Sequence, residues 1–375
     1  MPIAIVPPGR NASAAALQKI FEETQDKLIR EILRKRSKGY VDYAEVAALE
    51  RVRKTLQKMV KGAEKYVPLA VEHEFYKRPE SAEAYRNARE SINPGRTRAV
   101  EILSDNLMGD IEEMAETAYQ STASKLFLVG RAQEDIFREA ALTSAVEASA
   151  AGRGSLTTVN EIIAAIQNTG ITAFVDKAGH EWNLKAYGSM AVRTTVHQAQ
   201  VAAVITEKPE QDLYKIVQSG SPCRMCAAYG GRIYSRSGAN PNYPPLTAAF
   251  GKINPAGAND LGNSFLNIHP NCLCAITPWT ELGKTPEEIQ NARDFSNPKK
   301  RPFNLDYRTK QQKEAYETKE RNRAIYRSNV KQYRRYLEAG VPGMPKTFAT
   351  FLKHKKLDDE KYHKWMSEFR KANRK

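Results

Sequence analysis

The placement of the cysteines constrains this chain more than any other feature. All four fall within 52 of its 375 residues, Cys223 and Cys226 as C-x-x-C and Cys272 and Cys274 as C-x-C. They lie in residues 211–280, a stretch rich in Gly, Pro and Asn and poor in long apolar runs. Such a stretch needs a staple other than apolar burial. C-x-x-C in a tight turn lets two thiolates converge on one ion about 2.3 Å away, and Cys272 and Cys274, as alternate residues of a strand, would point the same way. A tetrahedral Zn2+ closing this long loop is the leading expectation. His269 is a fifth candidate ligand, and any four of Cys223, Cys226, His269, Cys272 and Cys274 would complete the site. The competing reading is four buried or redox-active thiols without a metal.

The same residues raise a rival function. Pro222-Cys223-Arg224-Met225-Cys226 matches the P-C-x-x-C half of the zinc-dependent nucleobase deaminases, which also need H-x-E to supply a third ligand and a proton-shuttling Glu. That half is missing: Glu181 follows His180 directly, and His197 is followed by Gln198-Ala199. Without the shuttle, a bound water could not be deprotonated and its proton passed to a leaving amine. Five possible protein ligands also leave less room for the open coordination position that catalytic zinc keeps. No Walker loop, G-x-S-x-G or H-E-x-x-H is present, so no catalytic residues are assigned.

The length allows two or three domains. No run of about 18 apolar residues is present to span a bilayer, and MPIAIVPPGR at the N-terminus lacks the pattern of a signal peptide. The chain is therefore expected in the cytoplasm where it is made, where thiols stay reduced and disulfides are disfavoured. Residues 299–375 hold 23 Lys and Arg against 9 Asp and Glu, a surplus of 14 in a chain whose formal net charge is +15. This basic tail is expected to bind double-stranded DNA without sequence preference, through Arg321, Arg323, Arg327, Lys331, Arg334, Arg335, Lys353, Lys355 and Lys356. Tyr316, Tyr326, Tyr333 and Tyr336 interrupt the charges. They could stack on single strands, or pack against protein. The bland alternative is a solvated, charge-laced helix. Residues 101–150 hold ten acidic and three basic side chains, a surface suited to a basic protein.

From about Ala14 to Asn168 the apolar period is helical. Leu17, Ile20, Phe21, Leu28 and Ile32 form one stripe, Val46, Leu49, Val52, Leu56 and Met59 a second, and Val100, Leu103, Leu107, Ile111 and Met114 a third. Asp42 with Glu45, and Thr158 with Glu161, read as capping boxes, and Asn93-Pro94-Gly95 as a break. After Gly170, residues 171–175 and 181–184 read as a hairpin, followed by a helix from about Lys185 to Thr206. A long basic helix is expected from about Arg308 to Ala339, ended by Gly340-Val341-Pro342. Arg193, in the helix after the hairpin, is read as a structural bridge to a carboxylate or to strand carbonyls.

An ordered set of these residues resembles a known family. It runs from Val175-Asp176-Lys177-Ala178-Gly179-His180-Glu181-Trp182, through Tyr187, Met190, Arg193 and Thr194, to Cys223-x-x-Cys226 with Gly230, Gly231 and Tyr234, and ends in His269-Pro270-Asn271-Cys272-Leu273-Cys274. This set resembles the phage minor capsid protein family, which is similar to the Mu-type F head-morphogenesis proteins that share the H-P-x-C-x-C ending. Tyr307, Gln311, Glu320, Arg321 and Arg323 look like that family's C-terminal helix. The likeness spans about residues 10–340. It implies a low-copy protein inside the head near the portal, with portal and major capsid proteins and packaged DNA as partners and no small-molecule substrate.

The expected architecture is α+β: a helical domain over 1–169, a mixed α/β zinc-stapled domain over 170–298, and a basic helical extension over 299–375. The expected function is that of a minor structural protein of a tailed-phage head. The alternative is a zinc-dependent enzyme or toxin domain acting on nucleic acid.

Overall fold

In the computed structural model, residues 11–38, 42–76, 94–142, 166, 170–176, 179–208, 210–218, 220–251, 264, 266–345 and 347–372 are described, without side chains at 34–38, 42–45, 94–96, 129–142 and 338. The expected capping box at Thr158 and Glu161 lies outside the described residues, as does Asn93 of the expected break. The chain divides into two compact units, Met1–Gln218 with Tyr229–Phe303, and Ser219–Ala228 with Asn304–Lys375. It is mostly helical with two small antiparallel sheets.

The first unit is built on four long helices: α1 (Ala12–Lys38), α2 (Asp42–Tyr76), α3 (Pro94–Leu142) and α4 (Leu184–Glu207). The buried Asn11 starts α1 by accepting the Ala14 N–H at 3.0 Å, while its own amide donates 2.8 Å to Ala70 O of α2. The apolar stripes face inward: Leu17, Phe21, Leu28 and Ile32 meet Val52, Leu56, Met59, Leu107, Ile111 and Met114 in one core. Burying each such side chain contributes roughly 1.5–3 kcal/mol. Val46 departs from its stripe and is 67% exposed. Val100 and Leu103 join a smaller cluster with Phe75 and Ala203.

Helix α4 packs against α1, α2 and α3 together. Its buried residues, from Leu184 to Ile205, go all round the helix, as in a helix enclosed by its neighbours. Gly188 permits its close approach to α1, since a Cβ there would stand 2.5 Å from the Phe21 ring.

The hairpin of β1 (Thr172–Val175) and β2 (Glu181–Asn183) leads into α4, whose N-cap is Asn183. Asp176 organises its turn by accepting from the His180 amide at 2.8 Å, His180 Nδ1 at 3.0 Å and Trp182 Nε1 at 3.3 Å. The His180 amide bond above all holds the Asp176 carboxyl below the usual carboxylate range. Glu181 accepts from Thr172 Oγ1 at 2.7 Å. The second sheet has the order β4 (Ile233–Ser235), β3 (Leu213–Val217), β5 (Ala275–Pro278). Val217 pairs with Ala275 at the start of β5, and Tyr214 and Ile216 point into the core.

The second unit contains α8 (Lys310–Glu338), α9 (Phe348–Leu357) and α10 (Glu360–Ala372). The intervening helices in chain order are α5 (Arg224–Tyr229), α6 (Thr247–Phe250) and α7 (Pro286–Ser296). Thr309 and Gln312 form a capping box at the start of α8, and Gly340, with a φ of 64°, turns the chain out of it. Tyr333, Tyr336, Phe351, Tyr362 and Trp365 form an aromatic core between the last turns of α8 and helices α9 and α10.

Candidate metal centre

Each pair of cysteines is shaped by its own backbone. Cys223 precedes α5 and Cys226 lies in its first turn, so the C-x-x-C opens a helix, and the Cys226 amide points at Cys223 Sγ from 3.3 Å. Cys272 closes a turn by donating its amide to His269 O at 3.0 Å, with Asn271 left-handed at a φ of 60°. The Cys274 amide then points at Cys272 Sγ from 3.4 Å. The C-x-C therefore lies in a turn before β5. This corrects the expectation of a strand pair, because the left-handed Asn271 bends the chain where a strand would continue straight.

None of the four cysteines is joined in a disulfide; Cys226, Cys272 and Cys274 are buried and Cys223 is half-buried. Cys223 and Cys226 belong to the second unit, and His269, Cys272 and Cys274 to the first. All five candidates offer side chains of the kind that could hold a metal ion. The chemistry of the donors fits Zn2+. Bonds of about 2.3 Å to sulfur in a tetrahedron separate the sulfurs by about 3.8 Å. An amide N–H aimed at a sulfur favours the thiolate over the thiol. His269 Nδ1 sits 2.7 Å from Pro270 O, an atom that only accepts, so the proton is on Nδ1 and Nε2 presents its lone pair.

Behind Cys274 stands a residue the sequence reading weighed only as an enzyme ligand. His197 of α4 donates from Nε2 to Cys274 O at 2.9 Å, and burial pushes its pKa below the ordinary histidine value, so it is neutral. One turn earlier, Thr194 Oγ1 accepts from the Asn271 amide at 3.3 Å. In the sequence, Thr194 stands out only as part of the family resemblance, and neither residue shows its contact with the C-x-C segment. Arg193 is exposed.

The expected nucleic-acid residues lie in the second unit. Arg321, Arg323, Arg327, Lys331, Arg334 and Arg335 are exposed along α8, and Lys353 and Lys356 are exposed on α9. Lys355 is half-buried and donates to Asn329 Oδ1 at 2.7 Å and to Gln332 Oε1. Arg323 pairs with Glu320 at 2.6 Å, and Arg335 lies over the Phe369 ring at 5.3 Å. Tyr333 and Tyr336 are buried and Tyr316 is half-buried, while Tyr326 remains 57% exposed. On α3, Glu112, Glu113 and Glu116 are exposed. No described helix is long and apolar enough to cross a membrane.

The family model for phage minor capsid protein 2 matches residues 12–348, nearly the whole chain. The chain belongs to that family. No curated protein and no solved structure matches it. The match to phage minor capsid protein 2 takes in all five candidate ligands and the whole of α8, and stops at the first residue of α9. The hairpin residues that carried the resemblance, Asp176, His180, Glu181 and Trp182, are engaged in hydrogen bonds of the hairpin itself.

Proposed function

We propose that this chain is a structural component of a tailed-phage head, attached to portal and major capsid proteins, with zinc holding its cysteine-bearing loops and its basic C-terminal unit against packaged double-stranded DNA. The observation that carries this reading is the family match over residues 12–348, which supports a structural role in the head. Zinc, bound by four of Cys223, Cys226, His269, Cys272 and Cys274, would supply cross-linking. Its binding would couple to folding, because the thiols must be deprotonated and brought together at once. Exposed Arg and Lys on α8 and α9 would give DNA contacts to phosphate, without base readout.

An enzymatic reading finds no support in the hairpin, where His180 and Glu181 serve the turn and a strand contact. Quantitative mass spectrometry of purified phage particles, intact and emptied of DNA, tests the proposal. The chain is expected in intact heads at low copy number relative to the major capsid protein. Its absence from purified particles would overturn the structural reading.

A further inference from the structure

We propose that Thr194 and His197 are positioning residues that hold the C-x-C segment in its metal-binding conformation, an assignment that rests on the metal reading above. The two side chains lie one turn apart on the same face of α4 and grip the segment at both ends. Thr194 Oγ1 takes the Asn271 amide at 3.3 Å, and His197 Nε2 donates to Cys274 O at 2.9 Å. Cys272 and Cys274 sit between these anchors. The β-ladder cannot do this work at Cys274, because the pairing of β5 with β3 begins one residue later, at Ala275.

The platform is firm. α4 is enclosed by α1, α2 and α3, and His197, Ala199 and Val196 are all buried. His197 also does something that packing alone does not call for. Its Nδ1 is buried without a hydrogen-bond partner among the described residues. An apolar residue of similar size would avoid that penalty, so a position retained only to fill space would be better served by Phe or Leu. What the imidazole adds is a fixed N–H directed at the backbone of a ligand. Partners behind a metal's direct ligands set ligand orientation, and their loss typically weakens metal binding by about 10–100-fold.

The test measures zinc affinity of the full-length chain by competition with a chromophoric chelator, for wild type, His197→Phe, His197→Gln and Thr194→Val, with circular dichroism as the check on folding. His197→Phe is expected to bind zinc about 10–100-fold more weakly at unchanged helical content. His197→Gln, which keeps an N–H donor, is expected to recover most of that loss. Thr194→Val keeps the side-chain shape and is expected to weaken binding about tenfold. Wild-type affinity in the Phe variant, or a Gln variant as weak as the Phe one, would overturn the assignment of His197. Should the Phe variant fail to fold, undiminished affinity in Thr194→Val would overturn the grip. A wild-type chain that binds no zinc would overturn the metal reading and this inference with it.

Discussion

The rings of Tyr333 and Phe351 meet 5.3 Å apart, centroid to centroid, at an angle of 43°. Around this pair the second unit collects Tyr336, Tyr362 and Trp365, with the indole N–H of Trp365 donating to Gly343 O at 2.9 Å. The charge-rich C-terminal region therefore has a core, built from aromatic residues that the charges hide in the sequence. Phe351→Ala is expected to cost about 3–5 kcal/mol locally, the usual cost of emptying a buried aromatic site. Hydrogen exchange should show loss of protection in α9 and α10 while α1 to α4 keep theirs. Unchanged protection in α9 and α10 would mean that the cluster does not hold them.

That core also shapes the DNA expectation. With Tyr333 and Tyr336 buried, only Tyr326 of the four tyrosines is largely exposed, so duplex binding through phosphates is favoured over stacking on single strands. Affinity for duplex DNA should fall about a thousandfold from 50 to 200 mM salt if about six phosphates are engaged. Reversing the exposed Arg321, Arg327 and Lys331 to Glu should weaken binding at every sequence and lower the salt slope by about three. A triple variant with the same affinity and slope would place the DNA contact elsewhere.

Gly188 makes the contact between α1 and α4 a sharp test of the fold. Alanine is the better helix former by about 1 kcal/mol, yet a Cβ would lie 2.5 Å from the ring of Phe21, which is itself fully buried. Gly188→Val, larger still, should destabilise the first unit by about 1–3 kcal/mol through overpacking. Thermal denaturation checks this. An unchanged or raised midpoint would show that the helices do not meet at this distance.

Asp212 links stability to acid. Its burial favours the neutral form, but hydrogen bonds from the Ser237 amide and hydroxyl and from Ser235 outweigh burial, so its carboxyl is held below the ordinary value. A depressed folded-state pKa means that the unfolded chain binds the proton more readily. The stabilisation is therefore present above the unfolded value of about 4 and is lost as pH falls through the folded one. Melting temperatures of wild type and Asp212→Asn should differ at pH 7, with the variant lower, and converge as the pH drops below about 4. Parallel curves across that range would contradict the linkage.

Much of the helical framework was legible because burial imposes a 3.6-residue period. The stripes through Phe21, Leu56 and Ile111 are buried as that period requires, and α4 and α8 begin and end within about two residues of their expected bounds. What periodicity does not encode is which helices meet, and α4 gives no sequence sign that it will be enclosed by the first three. The candidate ligands were visible from cysteine spacing, but their backbone was not. Asn271 adopts a left-handed turn that no pattern announced. His197 and Thr194 were missed as supports because each touches a residue 77 positions away, a relationship only the fold creates. Phe351 and Trp365 lie in a tail that stands out by its charge, and the charged residues between them, from Lys353 to Lys364, mask the spacing of a core.

The central claim is that a metal holds the cysteine-bearing loops, and elemental analysis tests it most directly. Protein purified without added zinc or chelator is expected to contain about one zinc per chain. Cys226→Ser and Cys274→Ser should each lose that zinc and open residues 211–280 to protease, because metal binding and folding of the site are coupled. Well under half an equivalent of zinc in the wild type, with protease resistance unchanged in both variants, would show that the cysteines only pack.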